Sequence, residues 1–149
     1  MFKVTITTEI EAPAEVVYAY LSDLSNNSTW QSGIASTNWT SRPPIRVGST
    51  YDQRMEYKDR VIGYQVTAID PGRSITVESR SGANVPTTVT RTVQELDEAR
   101  CRVEVDLVGE LRSWRLITKP MVTRAIRRSV GADYRRLKEQ LEADQSDTG

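Results

Sequence analysis

The stretch from Leu111 to Glu142, LRSWRLITKPMVTRAIRRSVGADYRRLKEQLE, constrains the fold more than any other part of the chain. Ile126, Val130, Tyr134, Leu137 and Leu141 recur at three- and four-residue steps, which places them on one face at the helical period. Arg127, Arg128, Arg135, Arg136, Lys138 and Glu139 fill the flanks and back. The spacing predicts one long helix. Before Pro120 the pattern changes. Leu116 continues the first stripe, whereas Trp114, Ile117, Met121 and Ala125 form a second stripe on nearly the opposite side. A segment apolar on two sides has to be covered twice or has to line a cavity. Pro120 removes a backbone donor and its ring clashes with the preceding turn, so a kink or a helix start belongs there. Gly131 costs up to about 1 kcal/mol relative to Ala inside a helix, and nothing in the sequence explains it.

Upstream of that helix the period changes from helical to alternating. Phe2, Val4, Ile6 and Ile10 alternate with polar residues, the mark of a strand with one buried face. Pro13 opens a short helix whose apolar face is Val16, Val17, Tyr20, Leu21 and Leu24. The run Ser25 to Ser28 ends it, and Trp30 falls in a further short turn or helix. Ile34–Trp39 reads as a second strand, and 41–49, SRPPIRVGS, as a loop. Five more strands are expected. Thr50–Lys58 carries Tyr51, Gln53, Met55 and Tyr57 on one face, and Val61–Ile69 carries Ile62, Tyr64, Val66 and Ala68. Ser74–Arg80, Val85–Leu96 and the run Cys101, Val103, Val105, Leu107 follow, separated by turns such as Asp70-Pro71-Gly72-Arg73. Consecutive strands without intervening helices imply an antiparallel sheet and an α+β class. One domain is expected over 1–142, with 143–149 as a disordered tail. A twisted seven-stranded sheet curls, and a helix laid in its concave face leaves a gap wherever side chains fail to fill the groove.

Three pieces of this sequence resemble a known family. Strand 1 leads into Glu11-Ala12-Pro13-Ala14-Glu15-Val16-Val17, similar to an "I-x-A-P-x-x-V" opening. Asp23 followed by Trp30 resembles a "D…W" step after the first helix. Leu116–Met121, then Leu137-Lys138-Glu139-Gln140-Leu141-Glu142, resembles a long last helix with a proline near its start and an "L-K-x-x-L-E" ending. In this order they resemble the polyketide cyclase/dehydrase-like branch of the START/Bet v 1 (SRPBCC) superfamily. The resemblance implies a helix-grip fold: a curved seven-stranded antiparallel sheet around a long C-terminal helix, with one or two short helices after strand 1. It also implies an elongated apolar cavity between helix and sheet. The family spans aromatase/cyclases, lipid and hormone carriers and stress-regulator domains, so no catalytic set carries over.

Composition narrows the chemistry. The chain has no histidine, which removes the commonest general base, the Ser–His and Cys–His arrangements and most zinc sites. Cys101 is alone, so no internal disulfide forms, and its strand-like setting points to a buried inert thiol. Signatures for phosphate loops, dinucleotide binding and metal sites are absent. No cofactor, no metal and no nucleic-acid partner are expected. Ser22, Asp23 and Ser25 read as helix-end residues. No apolar run approaches the ~20 residues of a membrane span, and MFKVTITTEI has no signal-peptide apolar block, so stable membrane insertion is not expected and a cytoplasmic location is. Net charge is zero overall, yet residues 111–142 hold nine cations and three acids, net +6. That basic helix reads first as a solvated back, with phosphate, a membrane surface or a homodimer as other uses.

Trp30, Tyr51, Gln53, Met55, Tyr57, Tyr64, Trp114, Ile117 and Met121 are the candidate cavity residues, because aromatics and Met suit an apolar ligand and hydroxyls orient its polar end. Ordinary core is the alternative for each. Gln53 would contact a ligand carbonyl or hold water, or lie exposed near a strand end. Arg91 alternates with Val89 and Val93, so it is an inward cation for a carboxylate or phosphate end, or part of the solvent face; the solvent face is the expectation. The expected function is binding of a hydrophobic or aromatic small molecule, such as a lipid, polyketide or isoprenoid-like compound. The alternatives are an aromatase/cyclase-like enzyme in the same cavity, and a regulatory or interaction module using the basic helix.

Overall fold

The computed structural model describes residues 1–83, 85–110 and 119–148, the side chains of 119, 147 and 148 excepted. Seven described strands form one antiparallel sheet: β1 Phe2–Ile10, β2 Ile34–Trp39, β3 Thr50–Met55, β4 Val61–Asp70, β5 Ser74–Ser81, β6 Thr87–Asp97 and β7 Arg100–Gly109. Their order is β1-β7-β6-β5-β4-β3-β2, a meander from β2 to β7 with β1 returned beside the last strand. Helices α1, Ala14–Ser22, and α2, Asn27–Trp30, lie between β1 and β2, joined by a 3-10 turn at Leu24–Asn26. Helix α3 is Lys119–Thr148. The sheet curls as a half-barrel against α3, the α+β helix-grip architecture that the sequence implies. The 111–118 part of the expected helix lies outside the described residues.

Local chemistry accounts for most boundaries. Pro13 is the residue before α1, not its first, and its carbonyl accepts from the Val16 and Val17 N–H groups at 3.1 Å. Asp23 caps the next turn: its Oδ1 accepts from Ser25 N at 3.2 Å, Ser25 Oγ at 2.6 Å and the Trp39 indole at 2.8 Å. Asp70 to Arg73 is a type II turn, with Arg73 N donating to Asp70 O at 2.9 Å and Gly72 at φ 76°.

Three expectations need correction. β3 ends at Met55, not Lys58. Met55 N donates to Arg60 O at 2.7 Å to close the hairpin, and the reversal puts Lys58 and Asp59 at positive φ. β4 carries a bulge between Val66 and Ala68, which face Val77 and Thr76. The extra residue shifts the alternation, so Ala68 is exposed and Ile69 packs against the core instead. The supposed disordered tail continues α3 as far as Thr148. Glu142, Ala143 and Gln145 are good helix formers, and extending an existing helix needs no new nucleus.

Among the described residues, two clusters form the core. The larger joins Val17 and Leu21 of α1, Trp30 of α2, Ile10, Val93, Cys101, Val103 and Val105 of the sheet, and Tyr134, Leu137 and Leu141 of α3. The smaller is Leu24 with Tyr51, Val66, Ile75 and Val77. Cys101 is fully buried, and that burial pushes its thiol up to about 11. Helix α3 covers the β1 edge, where Arg127 donates to Thr5 O at 3.2 Å and Lys138 to Glu9 O at 3.0 Å. Two helix cations thus satisfy edge-strand carbonyls that would otherwise be open to another strand.

Candidate functional site

Between α3 and the concave face of the sheet lies a cavity of about 240 Å³. The two core clusters leave it between them, and Val89 of β6 touches both. Its apolar wall is Val77, Val89, Val105, Leu107 and Val130. Its polar lining is Asn27 and Gln31 from the α2 region, Tyr51, Gln53 and Tyr64 from β3 and β4, Thr87 and Arg91 from β6, and Asp133 and Tyr134 from α3.

Arg91 is the principal correction to the sequence reading. It points inward and is 4% exposed. Its Nη1 donates to Leu21 O at 3.0 Å and its Nη2 to Asn27 Oδ1 at 3.0 Å. The chain of bonds continues inside the protein, with Asn27 Nδ2 donating to Gln53 Oε1 at 3.2 Å. Asn27 and Gln53 are themselves 3% and 6% exposed, so Gln53 takes the buried option rather than the exposed one. The guanidinium carbon sits 5.2 Å from the Trp30 ring centroid, and Trp30 meets Tyr134 edge-on at 4.8 Å. No carboxylate among the described residues pairs with Arg91. The one acid on the lining, Asp133, is bonded to Ser32 N at 3.1 Å and to Arg136 Nη1 at 3.2 Å. Arg136 also donates to Trp30 O at 2.7 Å, tying α3 to α2.

The tyrosines are held as neutral phenols. Burial raises Tyr51, Tyr64 and Tyr134 above the ordinary tyrosine value, and the nearby Arg91 charge partly offsets it at each. Tyr51 and Tyr64 stack at 5.1 Å, and Trp39 meets Tyr51 edge-on at 5.5 Å. The Tyr134 hydroxyl, Arg91 Nε and Trp30 Nε1 are buried without a well-formed hydrogen bond among the described residues, although the Arg91 guanidinium lies near enough to the Tyr134 oxygen to offset part of the rise that burial causes there. Such an arrangement can donate to a carbonyl or an anion; none of these groups is poised as a base at neutral pH.

Of the sequence candidates, Tyr51, Gln53 and Tyr64 line the cavity. Trp30 lies behind it, against Arg91 and Tyr134. Met55 is half-buried at the end of β3 and is not part of the lining. Tyr57 sits in the 3-10 turn at 74% exposure, under the Lys58 ammonium, because the strand stops before it. Met121 is 73% exposed, beside a surface groove with Arg124, Ala125 and Arg128. Trp114 and Ile117 lie outside the described residues. Sequence reasoning missed Asn27, which it read as part of a helix-ending run. It also missed Asp133, an acid two residues after Gly131 whose signal was its place beside the apolar stripe. Tyr134 it read as ordinary core. Among the described residues no cluster of metal-ligating side chains occurs, and no helix is long and apolar enough to cross a membrane.

A family model described as "Polyketide cyclase / dehydrase and lipid transport" matches residues 1–142. No curated protein matches the chain. Solved structures do. The di-domain ARO/CYC BexL of the BE-7585A biosynthetic pathway is 14% identical at a TM-score of 0.79; the match covers 95% of this chain and 47% of BexL, so the chain spans about half of that protein. A START superfamily protein from Mycobacterium smegmatis is 18% identical at 0.76, covering 95% of this chain and 97% of that one. The Zhui aromatase/cyclase from a Streptomyces species is 15% identical at 0.72, covering 95% and 93%. At these identities the likeness is one of fold.

Proposed function

Because the chain belongs to the polyketide cyclase / dehydrase and lipid transport family, we propose that it binds a hydrophobic or aromatic small molecule in the cavity between α3 and the sheet. The observation that carries this reading is a cavity of about 240 Å³ lined by Val77, Val89, Val105, Leu107 and Val130 together with Arg91 and Tyr134, two residues with buried donors. Apolar lining with a few placed polar groups is the usual composition of a small-molecule site. The mixture matters. An entirely apolar gap would be a packing fault, whereas unmatched buried donors gain when a ligand supplies acceptors. A lipid, polyketide or isoprenoid-like compound fits that description.

A panel of apolar aromatic and aliphatic compounds, read by thermal unfolding, tests it. Several members are expected to raise Tm, and Val89→Phe, which fills the space left between the two core clusters, is expected to abolish the rise while the variant stays folded. An unchanged Tm across the panel overturns the reading.

An aromatase/cyclase-like activity is the second reading. The Tyr51, Tyr64 and Tyr134 phenols around one guanidinium favour it, since such donors polarise a carbonyl and a cavity between helix and sheet can hold a reactive chain folded. It requires turnover that drops when one of these tyrosines becomes Phe; an unchanged product profile counts against it.

A further inference from the structure

Arg91 is a permanently charged group that is 4% exposed and has no carboxylate partner among the described residues. The undescribed 111–118 stretch, LRSWRLIT, contains no acid either. Leu21 O and Asn27 Oδ1 take one N–H from each terminal nitrogen, and Nε has no partner. The Trp30 face supplies an attraction that is small beside a full negative charge. Asp133 does not neutralise it, being bonded to Arg136. Among the described lining residues Arg91 is therefore a cation without an ion-pair partner, and the Tyr134 hydroxyl lies beside its guanidinium with no other side-chain partner. A buried cation left in this state is costly to a fold unless something arrives to pair with it.

Resting on the ligand-binding reading above, we propose that the cavity's ligand is a small apolar carboxylic acid, its carboxylate held by Arg91 with the Tyr134 hydroxyl as a second donor. Shape and size both point there. The planar guanidinium fork matches a carboxylate, and the apolar wall of Val89, Val105 and Val130 accepts a hydrocarbon body. A cavity of about 150 Å³ takes up benzene, and drug-sized ligands occupy about 300–1,000 Å³. The 240 Å³ here falls between, which suits one or two fused rings.

The test titrates the whole protein with naphthoic acid and, separately, with naphthamide, the neutral analogue of the same shape, by calorimetry at neutral pH. The acid is expected to bind more tightly by roughly tenfold or more, the worth of a charge-assisted bond. Arg91→Met is expected to erase that preference and Arg91→Lys to keep part of it. Since Arg91→Met removes a buried network, Tyr134→Phe serves as the gentler variant: it should weaken the acid several-fold and the amide less, because the amide carbonyl accepts from the same hydroxyl without the charge. Equal binding of acid and amide overturns the proposal and leaves the cavity reading standing. An acid preference that survives in folded Arg91→Met overturns it too, by locating the anion elsewhere. Binding of neither probe overturns both.

Discussion

Asn27 stands at the junction of the cavity's polar chain: its Oδ1 accepts from Arg91 and its Nδ2 donates to Gln53. Asn27→Ala strands a buried charged donor and weakens the tie on a buried amide, so it should cost about 2–3 kcal/mol by urea denaturation, far above a surface change. A loss near zero would mean that water replaces the amide. The tyrosines make a pH prediction. Burial lifts Tyr51, Tyr64 and Tyr134, with Arg91 only partly opposing it. The fold thus favours the neutral phenols. Their contribution to stability is complete below the ordinary tyrosine value of about 10 and falls as pH rises past it, because the unfolded chain ionises first. Phenolate absorbance should show these residues ionising late, with unfolding; a single titration of all tyrosines near the ordinary value would contradict their placement. Tyr51, Gln53 and Tyr64 were legible because neighbouring strands brought their shared faces together. Arg91 was not. Alternation shows that it shares a face with Val89 and Val93, but the flanking residues Thr88, Thr90 and Thr92 leave open which face is buried, and charge argues for water.

At the scale of elements, α3 was legible from its stripe and gives the clearest substitutions. Open space surrounds the position where a Cβ at Gly131 would lie, so Gly131→Ala should stabilise the protein by up to about 1 kcal/mol; destabilisation would point to a constraint that the helix does not reveal. Leu137 is fully buried in the main core, and Leu137→Ala should cost about 2–5 kcal/mol. The same helix is fastened to the β1–α1 link by Glu142, which accepts from Glu11 N at 2.8 Å and pairs with Lys138. Burial opposes ionisation of Glu142, but the bonds from Lys138 and Glu11 outweigh it and hold the carboxyl below its ordinary value. Its stabilising effect is present above that value and is lost as pH falls through the depressed one. The β4 bulge and the turn after Met55 were not legible. A bulge is a property of the pairing between β4 and β5, and the apolar period in β4 alone continues across it.

For the molecule as a whole, the cavity follows from a mismatch between one helix and a broad curved sheet. Helix α3 closes over β1 and the main core, the β3–β5 half is closed by Leu24 and stacked tyrosines, and the space where the two cores fail to meet remains open. The helix-grip architecture was legible from the order of periods along the chain. Whether the side chains fill the groove was not, since a filled core and an open cavity call for the same residues. The most direct measurement is the map of backbone amide NMR shifts as naphthoic acid is added. The account predicts that the largest changes fall at Gln53, Val89, Arg91, Val105 and Val130, lining residues contributed by the sheet and α3. Changes confined to the exposed groove around Met121 and Arg124, with the cavity residues unmoved, would contradict it.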